Sequence, residues 1–534
     1  MLSKQKLVSI EEAIDGILKE LPSVNNAVEL EKLKLKWGKK FDLQDVIRSS
    51  DLLSRINASK EYSPEDKIKF KKLLKTNPVR ENSGVSVVAI MAMPAFCPHG
   101  TCVYCPGGPG TNSPQSYTGF EPAARRAAQN GFDACKQVRS RLKQFEDTGH
   151  TPEKCEVIIM GGTFNSFPRD YQYTFVKSMY EGFNGVKFDD LDQAKLYNET
   201  AEHRIIGLTF ETRPTCASQQ EINDLLEFGC TRLEFGVQVL DDKIYMKAKR
   251  GHTLQDVVDA TWNAKRAFLK VCYHMMPGLF TTPEQDIGYF KTLFSDERFQ
   301  PDMIKIYPTL VLPGTGLYDL WKRGLYKPYD AEQASEVISE AMRYIPEYCR
   351  VMRVDRDIPT TLIADGVKKS NLRELVLEKM KKKNISSREI RGREVGIAEN
   401  LKRAAKPGKI ELVRREYQAS KAKEVFLSFE DVDNDLIIGF CRLRAPSESF
   451  RPELTETTSG LRELHVYGRQ DKIGGLSTMT QHKSYGKQLM QEAERISKED
   501  WDCDKMSVIS GIGVREYYKK IGYYLDGVYM SKDL

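Results

Sequence analysis

Six short apolar runs, separated by stretches of helical character, limit the possible folds of this chain more than any other feature of its sequence. The spacing of the runs leaves room for at least one helix between neighbours, which is typical of repeated βα units and a parallel sheet. We therefore predict an α/β fold with a partial six-stranded barrel, whose chemistry would lie at the C-terminal ends of the strands. The runs are VSVVAIMA (85–92), EVIIM (156–160), RIIGLTFE (204–211), TRLEFGVQ (231–238), KVCYHMM (270–276) and DMIKIYP (302–308).

The 534 residues are enough for several domains. Residues 1–77 are lysine-rich with a helical pattern, and residues 78–365 contain the predicted barrel. A basic stretch, 366–424, is predicted to link the barrel to the last domain. Residues 425–534 are dense in strand formers with one helical segment, which predicts a smaller α+β domain.

The net charge of +6 hides two strongly basic segments. Residues 31–80 carry 14 Lys and Arg against 7 Asp and Glu, and residues 366–424 carry 18 against 8. Such segments favour a polyanionic partner, although solvated helical faces would give the same pattern. The longest apolar stretch, 87–97, is shorter than the roughly 18 residues of a membrane span, and the N-terminus has no apolar leader. We therefore expect a cytoplasmic protein with no membrane partner.

Three of the eleven cysteines form a tight group directly after the first predicted strand, in the run Cys97-Pro-His-Gly-Thr-Cys102-Val-Tyr-Cys105. This grouping favours thiolate ligands in a reducing compartment over a disulfide framework. Three thiolates can hold three corners of a four-iron, four-sulfur cluster and leave the fourth iron free for a small molecule. The alternative is zinc, with His99 as the fourth ligand.

Two glycine-containing loops are further candidates for ligand binding. Gly161 and Gly162 end the second predicted strand, where the backbone could approach a ligand and offer carbonyls to an ammonium group; an ordinary βα turn would look the same. The segment QHKSYGKQLM (481–490) opens a predicted helix, and its backbone N–H groups would suit a pyrophosphate.

The three-cysteine loop and the Gly-Gly motif together resemble the radical S-adenosylmethionine (SAM) superfamily. More narrowly, nine runs resemble the family of the catalytic subunit of Elongator, which modifies the wobble uridine of tRNA. The sequences RELHVYG and ISGIGVREYYKKIGY, on either side of the 481–490 loop, resemble the Gcn5-related N-acetyltransferase fold. The nine runs are CVYCPGGPGTNSPQSYTGFEPAARR (102–126), MGGTFNSFP (160–168), GLTFETRP (207–214), LEFGVQ (233–238), RGHT (250–253), HMMPGL (274–279), RDIP (356–359), SNLRE (370–374) and IRGREVG (390–396).

The resemblance implies an enzyme, a radical SAM acyltransferase acting on tRNA. In that family SAM is cleaved to a 5′-deoxyadenosyl radical, which removes hydrogen from the methyl group of acetyl-CoA. The carbon radical adds to carbon 5 of uridine 34, and hydrolysis of the thioester leaves 5-carboxymethyluridine. A protein lysine acetyltransferase and a non-catalytic, tRNA-binding acetyl-CoA sensor are the alternatives. The possible protein partners are a second copy of the chain and Elongator-like subunits, and the sequence does not decide between them.

The resemblance also assigns site residues. Cys97, Cys102 and Cys105 would hold the [4Fe–4S] cluster. SAM would contact Gly161, Gly162, Glu211, Arg213 and Gln238, although Glu211 and Arg213 could instead form a structural ion pair. Either Tyr517 or Tyr518 would donate a hydrogen bond to the acetyl thioester, since helical spacing lets only one face inward. Acetyl-CoA would lie against the strand residues and loop residues Leu464, His465, Val466, Gln481, His482, Lys483, Ser484, Tyr485, Gly486 and Lys487.

Charge density alone selects the candidate tRNA phosphate contacts, which are Lys32, Lys34, Lys36, Lys39, Lys40, Lys71, Lys72, Lys381, Lys382 and Lys383. Three positions depart from the family pattern: the first cysteine gap has four residues, Thr215 replaces an aspartate, and Ser484 replaces a glycine. The IRGREVG segment also lacks the extra cysteines of some relatives, so we predict no second metal there.

Overall fold

The computed structural model describes residues 4–43, 47–75, 84–356, 358–400, 408–467 and 484–534. The chain divides into two compact units, one of residues 1–81 with 139–153 and the other of residues 82–138 with 154–534. Across the described ranges, every helix is too short or too polar to cross a membrane.

The first unit has the helical character predicted for residues 1–77. Its helices are α1 (Lys4–Glu20), α2 (Ala27–Lys40), α3 (Ser49–Ala58) and α4 (Pro64–Leu74). Side-chain caps start two of them, because Asn26 accepts a hydrogen bond from the Glu29 N–H and Ser63 from the Asp66 N–H. Buried leucines and isoleucines from these helices, together with Phe70, form one apolar core.

The second unit begins with a seven-stranded parallel sheet in sequence order, the curled half-barrel that the apolar runs predict. The six predicted strands are all present. A seventh, Arg350–Val354, pairs with the sixth. Its alternation of Arg and Val gave no continuous apolar run, which is why sequence reasoning missed it. The strands are β1 (Ser86–Met91), β2 (Lys154–Met160), β3 (Arg204–Thr212), β4 (Arg232–Gln238), β5 (Lys270–Met275), β6 (Met303–Ile306) and β7 (Arg350–Val354).

Helices connect the strands of the half-barrel, as βα units require, and two more follow its last strand. Several begin at a reciprocal capping box, for example Ser218 with Glu221 and Thr253 with Asp256. The helices are α5 (Pro122–Gln129), α6 (Ala134–Asp147), α7 (Arg169–Asn184), α8 (Leu191–Asn198), α9 (Gln219–Glu227), α10 (Asp242–Lys247), α11 (Leu254–Arg266), α12 (Pro283–Ser295), α13 (Gly316–Lys322), α14 (Ala331–Ala341), α15 (Leu372–Lys382) and α16 (Val395–Asn400).

A second, mixed sheet of seven strands follows, in the order β13-β14-β12-β11-β10-β9-β8. Helices α17 (Tyr485–Arg495) and α18 (Arg515–Lys519) belong to it, and the side chains of α17 pack into its apolar core. The sheet starts at Ile410, inside the stretch predicted as a basic linker. Along β8, exposed residues alternate with half-buried ones. The strands are β8 (Ile410–Ala419), β9 (Ala422–Asp431), β10 (Leu436–Arg444), β11 (Thr458–Val466), β12 (Lys505–Val508), β13 (Tyr524–Asp526) and β14 (Tyr529–Asp533).

Candidate active site

The three cysteines lie in the loop that follows β1, at the C-terminal end of the half-barrel, and all three are free thiols. The side chain of Gln115 braces this loop, since its Oε1 accepts from the Cys97 N–H (2.7 Å) and its Nε2 donates to Thr101 Oγ1 (3.1 Å). The Ser116 N–H points at the Cys105 sulfur (3.1 Å). The loop is therefore held by protein contacts that leave the thiols available as ligands.

The donor set of this loop fits a four-iron cluster with one open corner. Three thiolates can bind three of the four irons, which leaves the fourth iron free for a small molecule. A structural zinc site is closed by a fourth ligand, which in this loop His99 would have to supply. The three cysteines present therefore fit the cluster.

The electrostatics of the loop disfavour free thiolates when no metal is bound. Burial raises the pKa of the Cys97 and Cys105 thiols. His99 is neutral, since burial and the charges of Arg213 and Arg250 lower its pKa to about 4. Its Nε2 lies 3.1 Å from the Cys102 sulfur. Thiolates in this setting need a bound cation or metal to offset the cost of burying them.

Gly161 and Gly162 follow β2 beside the cysteine loop, as the sequence predicts, with φ angles of +133° and +87°. A Cβ on Gly162 would lie 3.1 Å from the Gln115 carbonyl oxygen and 3.6 Å from the Cys97 sulfur. The position therefore needs glycine both for its backbone conformation and for space near the cluster ligands.

The other predicted SAM residues are buried at the ends of β3 and β4. Glu211 Oε2 accepts a 2.5 Å hydrogen bond from the Tyr117 hydroxyl. Arg213 donates from Nη2 to the carbonyls of Arg250 (2.6 Å) and Gly251 (2.8 Å). In the part of the chain that the structure describes, no ion pair joins Glu211 to Arg213, so that alternative does not hold. Gln238 Oε1 is buried without a hydrogen-bond partner in the described part of the chain.

Sequence reasoning missed three residues of this site. Gln115 and Tyr117 lie within the long run 102–126, and Arg250 lies in the run RGHT. The runs marked the segments, but neither spacing nor residue type singled out these side chains. Thr215, one of the departures from the family pattern, is exposed in the short turn Pro214–Cys216.

A second group of possible metal ligands lies inside the half-barrel. The donor atoms of Glu234, Cys272 and His274 are within 4.8 Å of one another. However, the Glu234 carboxylate pairs with the ammonium of Lys305 and lies 3.3 Å from Arg232 Nη2. Because two buried cations already neutralise Glu234, this group has no need of a metal ion.

The second sheet has the divergent strand pair on which the acetyl-CoA prediction depends. Strands β11 and β12 pair in parallel only from Thr458–Lys505 to Leu461–Val508. Beyond that point β11 continues to Val466 and still pairs with β10 on its other side. The segment of β11 from Arg462 to Val466 therefore extends beyond its pairing with β12.

The three predicted strand residues do not share one face. Leu464 and Val466 pack towards the core that contains α17. His465 points to the opposite face, where its ring lies 5.9 Å from Phe440 and 4.4 Å from Tyr467. Burial lowers the pKa of His465 to about 4, and its Nε2 has no hydrogen-bond partner.

The structure describes only part of the loop that is predicted to bind pyrophosphate. Gln481, His482 and Lys483 lie outside the described residues. Ser484 precedes α17 with φ of 105°, and Gln488 Nε2 donates to its hydroxyl (2.6 Å). Tyr485 packs against Phe429, whereas Lys487 is exposed.

The paired tyrosines differ in their surroundings. Tyr518 is buried in the apolar core of the sheet. The hydroxyl of Tyr517 lies 3.4 Å from the point that a Cβ on Gly486 would occupy. Burial raises the Tyr517 pKa, so its phenol stays protonated and able to donate at neutral pH.

Most of the candidate tRNA lysines are exposed, namely Lys32, Lys36, Lys39, Lys40, Lys72, Lys381, Lys382 and Lys383, and Lys71 is partly exposed. The prediction that Lys34 contacts tRNA phosphate is wrong. Its side chain is buried, and its Nζ donates to Glu31 (2.7 Å) and Ser49 (2.8 Å). Lys383 is engaged by Glu336 and Glu340, and Lys36 by Glu20. Lys34 is therefore left out of the phosphate contacts.

The similarity to known proteins extends over nearly the whole chain. The family model for the Radical SAM superfamily matches residues 91–293, and that for the Radical_SAM C-terminal domain matches residues 301–382. The tRNA uridine(34) acetyltransferase of Methanocaldococcus jannaschii is 48% identical over 89% of this chain and 89% of its own length. The human Elongator complex protein 3 is 41% identical over 98% of this chain and 96% of its own.

A solved structure has the same fold. It is the Elp3 of Methanocaldococcus infernus with an N-terminal deletion (1-46), with a TM-score of 0.75 and 44% identity over 85% of this chain and all of that one. The cysteine loop at the end of a curled parallel sheet, the second mixed sheet and these similarities agree with one another. The chain is a radical SAM protein and belongs to the family of Elongator complex protein 3 and the archaeal tRNA uridine(34) acetyltransferases.

Proposed function

We propose that this chain is a tRNA uridine(34) acetyltransferase that uses acetyl-CoA and radical SAM chemistry to form 5-carboxymethyluridine. The observation that carries the proposal is the presence, in one compact unit, of a cysteine loop fit for an open-cornered iron–sulfur cluster and a sheet with a divergent strand pair. A lysine acetyltransferase would need only the sheet. The named relatives support the choice of tRNA as substrate.

The residues at the half-barrel mouth bind and orient the first cofactor. Cys97, Cys102 and Cys105 hold the cluster, and the backbone at Gly161 and Gly162 accepts the methionine ammonium group. Glu211, Arg213 and Gln238 line the remaining pocket, where the unpartnered Oε1 of Gln238 accepts a hydrogen bond from the ligand. Cluster and SAM, when bound, supply a carbon-centred radical able to remove hydrogen from a methyl group.

The second sheet holds acetyl-CoA in the gap where β12 leaves β11. The pantetheine arm bonds the free edge of β11 near Leu464, His465 and Val466, in the manner of an added strand. The loop from Gln481 to Lys487 would contact the pyrophosphate, with the N–H groups at the start of α17 as donors. The protonated phenol of Tyr517 donates a hydrogen bond to the thioester; Tyr518 supports it from the core.

The tRNA backbone contacts the exposed and partly exposed lysines, which are Lys32, Lys36, Lys39, Lys40, Lys71, Lys72, Lys381, Lys382 and Lys383. Phosphate contacts of this kind give affinity without sequence information, and they make binding depend on salt. The wobble base must leave the anticodon stack to reach the half-barrel, as single-stranded recognition of RNA requires.

The test is product analysis after anaerobic reconstitution of the full chain with iron and sulfide. Reconstituted protein is incubated with SAM, acetyl-CoA, reductant and tRNA, and the nucleosides are measured by mass spectrometry. We expect 5-carboxymethyluridine from the wild type. We expect none from Cys102→Ala, nor from a reaction without acetyl-CoA.

Two other outcomes would replace the proposal. Acetylated lysine in added protein, formed equally by the wild type and Cys102→Ala, would indicate a lysine acetyltransferase. Binding of tRNA and acetyl-CoA with no modified nucleoside, in protein shown to hold the cluster, would indicate a sensor.

A further inference from the structure

Arg250 is a buried residue next to the cysteine loop for which the proposed reaction has so far no role. It lies between α10 and α11, and its side chain and backbone together are only 8% exposed. A buried guanidinium is costly unless every contact it makes is favourable, so its surroundings indicate its purpose.

The guanidinium joins the cysteine loop to the end of β4. Its Nη1 donates to the Tyr104 hydroxyl (2.9 Å) and points at the Cys102 sulfur (3.4 Å). Its Nη2 donates to the Gly236 carbonyl. The carbonyls of Arg250 and Gly251 in turn accept from Arg213, so the backbone that carries this side chain is also held in place.

Two glycines make this close approach possible. A Cβ on Gly236 would lie 3.0 Å from Arg250 Nη2, and one on Gly251 (φ +59°) would lie 2.6 Å from the His99 Cβ. Any side chain at either position would push the arginine or the cysteine loop aside. The two glycines therefore leave the space in which the guanidinium lies against Cys102.

We infer that Arg250 is a positioning residue for the cluster: it holds the Cys102 thiolate by a hydrogen bond and raises the reduction potential of the bound cluster. A hydrogen bond from a cationic donor to a coordinating sulfur stabilises the reduced, more negative cluster over the oxidised one. This inference rests on the proposed cluster at Cys97, Cys102 and Cys105, and it adds a residue that sets how readily that cluster is reduced.

The experiment is a redox titration of the reconstituted full chain without SAM, followed by electron paramagnetic resonance of the reduced cluster. The variants are Arg250→Met, which keeps length but removes charge and donors, and Arg250→Lys, which restores the charge with a single donor group. The matched control is Arg126→Met. Arg126 is partly buried in the half-barrel, and its Nη2 donates to the Ala89 carbonyl (2.6 Å) on β1. Iron and sulfide per chain are measured for every sample.

We expect Arg250→Met to shift the midpoint to a more negative potential, so that at the wild-type midpoint the ratio of reduced to oxidised cluster falls about tenfold. Arg250→Lys should lie between Arg250→Met and the wild type, and Arg126→Met should match the wild type. The inference would be overturned if both Arg250 variants had the same midpoint potential and resonance spectrum as the wild type. It would also be overturned if Arg126→Met shifted the midpoint potential as much as Arg250→Met does.

If Arg250→Met does not retain iron, Arg250→Lys decides the question: a wild-type midpoint overturns the inference, and a more negative one supports it. If Arg250→Lys also loses iron, retention of iron by Arg126→Met supports the positioning role, and loss of iron there overturns it. A wild-type protein that takes up no iron would overturn the proposed function itself, so the two failures are distinguishable.

Discussion

Arg462 on β11 forms a bidentate ion pair with Asp302, just before β6, with Nη1–Oδ1 and Nη2–Oδ2 distances of 2.8 and 2.5 Å. Both side chains are completely buried. Arg462 Nη1 also reaches Glu424 on β9 (2.7 Å), which in turn pairs with Lys265 and Arg444. A buried charge network therefore joins the half-barrel to the second sheet.

Replacing Arg462 should strongly destabilise the folded protein. Arg462→Met leaves Asp302 and Glu424 buried with fewer partners, so we expect the free energy of unfolding to fall by about 3–5 kcal/mol. Urea denaturation followed by tryptophan fluorescence measures the change. Arg298→Met removes the exposed ion pair with Asp296 and should change the urea midpoint far less. An Arg462→Met midpoint equal to that of Arg298→Met would show that the network contributes little.

The same network predicts a loss of stability in acid. Burial by itself would raise the Glu424 pKa, but Arg462 and Lys265 outweigh it and lower that pKa to about 2; the Asp302 pKa is lowered as well. A carboxyl whose pKa is lower in the folded than in the unfolded state stabilises the fold above its unfolded pKa, which is about 4.3 for Glu. This stability is lost as the pH falls from about 5 to 2. Urea midpoints at pH 5 and pH 3 should differ more in the wild type than in Glu424→Gln.

The paired tyrosines should differ in their effect on catalysis. Tyr517→Phe removes the phenol that faces Gly486, and we expect the rate of 5-carboxymethyluridine formation to fall about a hundredfold, as for the loss of one preorganised donor. Tyr518→Phe alters a side chain in the core and should leave the rate almost unchanged. Single-turnover assays at saturating acetyl-CoA separate the two. Equal rates for the two variants would remove Tyr517 from the catalytic group.

Replacing Ser484 with glycine should stabilise the start of α17 and strengthen acetyl-CoA binding. Its φ of 105° lies in a region that non-glycine residues avoid, at a cost of about 1–3 kcal/mol. Ser484→Gly should therefore slow hydrogen exchange in the first turn of α17 and bind acetyl-CoA more tightly in calorimetry. Ser484→Ala, which keeps the Cβ and removes the hydroxyl, is the control and should show neither gain. If the alanine variant binds as tightly as the glycine variant, the serine hydroxyl and not the backbone limits affinity.

The spacing of the apolar runs and of the three cysteines was enough to predict the half-barrel and the cysteine loop. Each of the six runs became a strand because it is short, rich in apolar residues and followed by a stretch of helical character. The cysteines could be found because three of one residue type lie within nine positions. Strand β7 was missed because its arginines interrupt the apolar pattern. Strand β8 was missed because its many charged residues are typical of a solvated linker.

Contacts between distant parts of the chain could not be predicted. Arg250 is 148 positions from Cys102 and Arg462 is 160 positions from Asp302, and no local pattern links such pairs. Charge density likewise gave no means of separating Lys34, which the first unit buries, from exposed neighbours such as Lys32. These assignments depend on packing, which a one-dimensional pattern does not record.

Metal analysis of the anaerobically reconstituted chain tests the central claim most directly. Iron, acid-labile sulfide and zinc are measured per chain, together with the visible absorption spectrum, for the wild type and for a variant with Cys97, Cys102 and Cys105 all changed to alanine. We predict about four irons and four sulfides in the wild type and none in the variant. A colourless protein that binds one zinc ion through these cysteines, and no sulfide, would contradict the account.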